Sequence, residues 1–300
     1  MSVLAATAAT HDRRIGLFAG WGRYPVVVAE ALAAQGYDVY CLGVKEHADA
    51  ESLRAVCKDF RWNGVARFGA AMRYFHKHGI RRATMAGKIH KTRLYRPLVW
   101  LHYVPDVRTL RMFYRNFIKT QGDRRDDTLL GTIVREFAGE GIEFAPATDF
   151  APELLVKFGQ LTRRPPTALE RKDVEFGWSL AKEMGRLDIG QSVAVKGRNA
   201  IAVEAIEGTD ACIRRAGELC RSGKFTVVKV AKPQQDMRFD VPTIGLGTLE
   251  EMVNAGGTCL AIEAGKTIVI DQDAVMRYAD KHGLSIIALE AAEQVLTEAA

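Results

Sequence analysis

Apolar and polar positions divide the chain into segments that predict alternating strands and helices. In the first half, RIGLF (Arg14–Phe18) is a short apolar run that predicts a strand, and the glycine turn AGWGRYP follows it. Pro25 to Gln35 predicts a helix, with proline in the first turn, where its missing N–H has no partner to lose. YDVYCLGV predicts the next strand, and a further helix (Ala70–His78) leads to RRATMAG, a strand closing on glycine. This strand–helix–strand grammar predicts a small parallel sheet with flanking helices.

The grammar changes after LTRRPPTALERKD (Leu161–Asp173). Paired prolines stop the neighbouring elements and the charges favour solvent, so the segment predicts a hinge. The expected layout is a first domain over 1–160 with a loose tail over 1–13, a linker over 161–173, and a second domain over 174–300. In the second domain, helix Val174–Met184 precedes a hairpin of SVAVK and AIAVEAI around the turn GRN. Helix Asp210–Arg221, the apolar strand Phe225–Val228, helix Leu249–Ala255, strands TCLAIEA and TIVID, and a final helix–strand pair complete it.

Composition narrows the function classes. Of 300 residues, 48% are apolar, enough for real cores, and the net charge of +6 favours anionic partners. The five cysteines form no CxxC pair, which points to reduced thiols and a cytoplasmic location. No run approaches the roughly 20 apolar residues of a membrane span. The opening MSVLAATAATHD has no basic leader and reads as a tail, not a signal peptide.

Segment 88–125 carries ten Lys/Arg and two acids among many aromatics. Val107, Leu110, Phe113, Tyr114 and Phe117 share one helical face, while Arg108, Arg111, Arg115 and Lys119 gather towards the other. Such a segment suits an anionic lipid surface or an ordinary packed helix; nothing in it resembles a nucleic-acid-binding motif.

Candidate chemistry concentrates in KVAKPQQDMRFDVPTIG (Lys229–Gly245). An extended chain there would point Asp236, Arg238 and Asp240 one way and Met237, Phe239 and Val241 the other. Carboxylates about 7 Å apart along one face can hold a hard cation, and Lys229, Lys232 and Arg238 can hold phosphate oxygens. A salt-bridge ladder on an edge strand would explain the same residues.

In VEAIEGTDACIRRAG, a strand ends and a helix starts at Gly208, with Thr209 or Asp210 as its cap. Its free N–H groups suit phosphate, and Glu204 and Glu207 add carboxylates. Glu204, inside a strand pattern, needs a partner if it points inward. In RLDIGQ, Asp188 and Gln191 flank a glycine turn. Gly20 and Gly22 imitate a dinucleotide fingerprint, but Pro25 stands where the third glycine belongs and no acid follows to hold a ribose. No GxSxG or HExxH occurs.

Taken in order, GLFAGWGRYP, GDRRDDTLL, GRLDIGQ, VEAIEGTDACIRRAG and KVAKPQQDMRFDVPTIG resemble the LpxI-type UDP-2,3-diacylglucosamine pyrophosphatases of lipid A biosynthesis. The resemblance spans nearly the whole chain after residue 13. It implies an α/β protein with an N-terminal Rossmann-like domain, a parallel sheet, and a C-terminal α/β catalytic domain with a mixed sheet. The implied reaction is hydrolysis of the substrate's pyrophosphate to UMP and 2,3-diacylglucosamine 1-phosphate, by water attack on the sugar-side phosphorus.

Mg²⁺ (or Mn²⁺) is the implied cofactor, a lipid-linked UDP-sugar the substrate, and a homodimer at the cytoplasmic surface of the inner membrane the setting. Carried over by position, the resemblance makes Asp236, Asp240 and Glu207 catalytic, and Asp236, Glu204, Asp210 and Asp188 metal-binding. Lys229, Lys232, Gln235, Arg238, Gly208, Thr209, Gln191, Gly20 and Gly22 become substrate-binding. The chain departs from the family pattern at AGKIHKTRLYRP, where many relatives read AGGVxRP. A nucleotide-binding oxidoreductase and a non-catalytic UDP-sugar sensor remain the alternatives.

Overall fold

Short apolar runs of the first half become the parallel sheet that their pattern predicts. In the computed structural model, residues 13–89, 104–119, 126–238 and 240–290 are described, without the side chains of 115–119 and 126–129. Chain contacts divide the protein into two units, Met1–Ala151 and Pro152–Ala300.

The first unit runs β1 (Arg14–Ala19), α1 (Tyr24–Ala34), β2 (Asp38–Val44), α2 (Ala50–Val56), β3 (Asp59–Asn63), α3 (Phe68–Lys77) and β4 (Arg82–Ala86). Then come α4 (Val107–Lys119), α5 (Asp126–Ala138), β5 (Glu143–Phe144) and α6 (Ala147–Phe150). The strands lie in the order β3-β2-β1-β4-β5, all parallel. Strands buried on both faces need continuous apolar runs, which β1 and β2 supply. Phe18, Phe75, Phe137 and Phe144 meet in the core, with Phe18 edge-on to Phe75 at 5.4 Å between ring centres.

The second unit runs β6 (Gly159–Gln160), α7 (Ala168–Arg186), β7 (Ser192–Lys196), β8 (Asn199–Val203), α8 (Thr209–Leu219) and β9 (Phe225–Lys229). It continues with β10 (Thr243–Ile244), α9 (Leu246–Ala255), β11 (Gly257–Glu263), β12 (Ile268–Val269), α10 (Gln272–Lys281) and β13 (Ser285–Leu289). Its main sheet, β6-β13-β11-β9-β7-β8, is mixed: β9, β11 and β13 run parallel, while β6 and β7 oppose their neighbours. β10 and β12 pair separately. The architecture is therefore α/β, with a parallel sheet in the first unit and a mixed one in the second.

α7 covers one face of the mixed sheet through Val174, Trp178 and Ala181 against Val193, Val195 and Val228. Each large apolar side chain buried here contributes about 1.5–3 kcal/mol. A Cβ at Gly177 would sit 2.7 Å from a Val228 methyl, so glycine lets this helix lie close on the strands. α8, α9 and α10 cover the other face through Ile213, Leu249 and Val275.

Three expectations need amendment. The segment 161–173, read as a linker, is built into the second unit. Leu161 packs on the core, and Thr167 and Glu170 form a reciprocal capping box at the start of α7. Arg164 grips Glu170 at 2.7 Å and donates to the carbonyls of Thr258 and Gly283. Charge favours solvent only where it lacks partners, and here Arg163 pairs with Asp280, Arg164 with Glu170, and Asp173 accepts from the Arg198 N–H, while Arg171 and Lys172 stay exposed.

The packed-helix reading of α4 would bury its apolar face, but Val107, Leu110 and Tyr114 are exposed and Phe113 is half-buried, while Thr109 and Met112 face the core. Asp106 explains the rotation, since it accepts from the N–H groups of Ala70 and Thr109 and so fixes the helix against α3. The expectations for the 1–12 tail, for 90–103 and 120–125, and for the side chains of Arg115, Phe117, Lys119 and Phe239 lie outside the described residues. No helix among the described residues is long and apolar enough to cross a membrane.

Finally, residues 232–238 and 240–242 are not an extended row. Turns occupy Pro233–Gln234 and Met237–Arg238, and the Asp240 N–H donates to the Asp236 carbonyl at 3.1 Å. Proline removes a ladder donor, and the Asp236 carboxylate accepts from the Arg238 N–H, which closes the chain locally.

Candidate active site

One end of the mixed sheet, reaching its edge strand β8, gathers the chemistry. Lys229 ends β9 and pairs with Ser192 at the start of β7, while the end of β8 delivers Glu204 beside them. The Glu204 N–H donates to the Ser192 carbonyl at 2.9 Å, and the Gln191 carbonyl accepts from Val230 at 3.0 Å. Gly190 makes this seam possible: a Cβ there would lie 2.1 Å from the Glu204 carbonyl oxygen.

Thr209 links the charges. Its hydroxyl donates to Glu204 Oε1 at 3.1 Å and accepts from Lys229 Nζ at 3.1 Å. Lys229 Nζ also donates to the Thr243 carbonyl at 2.9 Å. Thr209 or Asp210 was expected as the cap; instead Gly208, at φ +86°, is the N-cap of α8 and no side chain caps it. Glycine adopts that backbone without strain, and the helix start keeps donors open to an anion.

Three of the other acids, Asp236, Asp188 and Glu207, are clasped by bases. Arg238 holds Asp236 with both ends of its guanidinium, Nε to Oδ1 at 2.8 Å and Nη2 to Oδ2. These bonds hold the Asp236 carboxyl below the usual carboxylate range, against partial burial. Lys232 Nζ pairs with Asp188 at 2.6 Å, and Arg215 with Glu207 at 2.8 Å. Glu207 also lies low, held there by its own backbone N–H and by Arg215. Asp210 and Asp240 are exposed. Asp236 and Asp240 are thus joined through backbone, not as neighbours on one strand face.

Three unmatched buried atoms lie on residues of this region. Glu204 Oε2, Gln191 Oε1 and Gln235 Nε2 are buried without a hydrogen-bond partner. Gln235 uses its other atom, Oε1, to accept from the Lys232 N–H at 2.8 Å. Two orphaned oxygens are the right chemistry for a hard cation. Among the described residues no three His, Cys, Asp or Glu side chains gather into a ligand cage. Mg²⁺ takes one or two protein oxygens and leaves the rest to phosphate and water, a demand that oxygens such as Glu204 Oε2 and Gln191 Oε1 would suit.

Two residues escaped the sequence reading. Lys182 Nζ donates to Glu263 Oε2 at 2.6 Å and to the Ala231 carbonyl at 3.1 Å, while the Ala231 N–H donates to the same Glu263 oxygen at 2.8 Å. The pair therefore grips both polar groups around Ala231, one residue before Lys232. Burial lowers the Lys182 ammonium, and Glu263 stays ionised despite burial because Lys182 and Lys266 donate to it. The available signal was an acid at the end of an apolar strand, TCLAIEA, the same argument that singles out Glu204.

In the first unit, the glycine turn is explained by backbone crossing. Gly20 donates to the Ala86 carbonyl at 2.8 Å, and a Cβ on it would meet the Lys88 carbonyl oxygen at 2.8 Å. Gly22 has φ +101°.

With this fold and this edge in view, the comparisons define the class. Residues 14–154 match the LpxI N-terminal domain and residues 157–287 the LpxI C-terminal domain. The chain belongs to the LpxI family. Over 289 residues it is 30% identical to the UDP-2,3-diacylglucosamine pyrophosphatase LpxI of Caulobacter vibrioides, spanning 94% of this chain and 99% of that protein.

Proposed function

We propose that the chain is a UDP-2,3-diacylglucosamine diphosphatase: it hydrolyses the pyrophosphate bond to give UMP and 2,3-diacylglucosamine 1-phosphate in lipid A biosynthesis. The observation that carries this reading is the set of unmatched buried atoms on Glu204, Gln191 and Gln235, at the edge from which the Asp236–Arg238 loop departs.

Gln191 and Glu204 would hold Mg²⁺, with Asp236 and Asp188 as further carboxylates beside it; bound there, the ion neutralises charge on the phosphate oxygens. Lys232, Arg238 and the open start of α8 at Gly208 and Thr209 bind the diphosphate. Gln235 Nε2 donates to a phosphate oxygen. Asp236, ionised far below neutrality, orients the attacking water rather than titrating in the working range. Water forms a new P–O bond at the sugar-side phosphorus, the bridging P–O bond breaks, and UMP leaves with the bridging oxygen.

Leu187, Ile189 and Ile206, all exposed near this edge, suit acyl chains. The exposed Val107, Leu110 and Tyr114 of α4, with Arg111 beside them, favour peripheral docking on anionic lipid, read out by vesicle co-sedimentation. A homodimer, checked by sedimentation equilibrium, completes the reading.

Phosphorus NMR of turnover in ¹⁸O-water tests the chemistry. The expected result is Mg²⁺-dependent cleavage, stopped by EDTA, with the label in diacylglucosamine 1-phosphate. Absence of turnover with any divalent ion sinks the reading, and label in UMP moves the attack to the other phosphorus.

A further inference from the structure

A cavity of about 520 Å³ opens in the first unit where β2, β3 and the start of α3 meet. Four cations line it, Lys45, Arg54, Arg61 and Arg67, and among the described residues no carboxylate does. Phe60 and Trp62 form an aromatic wall, edge to face at 5.1 Å between ring centres, and the Arg54 guanidinium lies 5.1 Å over the Phe60 ring.

The walls are fixed by the backbone. Lys45 N–H donates to the Asn63 carbonyl at 3.0 Å, and the buried Asn63 amide donates to the carbonyls of Gly64 at 3.0 Å and Arg67 at 3.4 Å. Like charges held around one concavity repel each other and focus a positive potential into it. The volume suits a small ligand or a headgroup.

We propose that this cavity binds a phosphomonoester group, with its three terminal oxygens among the four cations and the attached moiety against Phe60 and Trp62. The site is independent of the chemistry assigned to the second unit. Two sources can supply such a group, a free phosphorylated molecule or a lipid headgroup. The second is at hand because α4 adjoins the cavity wall: Ala70 lines the cavity and its N–H donates to Asp106 at 2.9 Å, just before the exposed apolar face of α4.

Trp62 gives a local readout. Full-length protein is titrated with inorganic phosphate, with phosphatidic acid in phosphatidylcholine vesicles, and with phosphatidylcholine vesicles alone, following the emission that Trp62→Phe removes. The expected result is a saturable Trp62-dependent change with a phosphate-bearing probe and none with phosphatidylcholine alone. Arg61→Ala/Arg67→Ala weakens it about tenfold or more, as loss of two charge-assisted hydrogen bonds requires. Lys45→Ala/Arg54→Ala, which removes the other two cations, does the same and serves if the first variant fails to fold. A response to phosphate in solution assigns a free ligand; a response to phosphatidic acid vesicles alone assigns a headgroup. No Trp62-dependent change with any probe, or an unchanged midpoint in both double variants, overturns the proposal.

Discussion

Glu170 and Glu204 are both buried carboxylates of the second unit, at opposite ends of one sheet, and their surroundings differ in kind. Glu170 is saturated: Arg164 donates to both of its oxygens, and the Thr258 hydroxyl and Thr167 N–H add to them. Burial alone would raise its pKa, but these donors prevail and bring it to about 2. Glu204 receives Thr209 on one oxygen and nothing on the other. A saturated buried charge holds a chain together. A half-satisfied one costs stability in the empty protein and recovers that cost when a ligand arrives.

Substitution breaks or sharpens this contrast, and the largest effect belongs to Glu204. Glu204→Gln lowers kcat about 10²-fold, since the open oxygen acts on charge that develops during reaction. Its thermal midpoint stays level or rises. Steady-state turnover and calorimetry on the same preparation read both quantities, and a joint fall of activity and stability would erase the distinction.

Glu170→Gln behaves in reverse, losing on the order of 3 kcal/mol in chemical unfolding with kcat retained. Because its folded pKa lies below the ordinary value, the stabilisation is complete above about pH 4.5 and disappears as pH falls towards 2. Wild type and variant therefore converge in acid, and a constant difference across that window would contradict the assignment.

Lys182→Met gives the smallest change. Loosening the Ala231 peptide weakens the grip of the Lys232 loop on substrate in ground and transition states alike. KM rises about fivefold with kcat held, as initial-rate kinetics would show.

Much of the fold is written in periodicity. The apolar runs at Arg14–Phe18 and Phe225–Val228 are strands β1 and β9, and the long pattern before Met184 is α7. α2 and β3 were not read, because seven helical residues and a half-exposed edge strand carrying Asp59 and Arg61 leave no clear period. The site is legible where chemistry breaks the pattern, as at Glu204. It is hidden where partners lie far apart in the chain: Lys182 meets Glu263 across 81 positions, and no spacing rule reaches that far. Asp236 and Arg238 were singled out, yet their pairing depends on turns that strand alternation does not anticipate.

At Gly190 the main chain comes so near to the carbonyl of Glu204 that even one added methyl would be an intruder. Saturation mutagenesis of that codon should consequently return a single survivor. The smallest residue in the loop thereby acts as a gauge block, setting the gap between two stretches of polypeptide whose spacing the acid depends on.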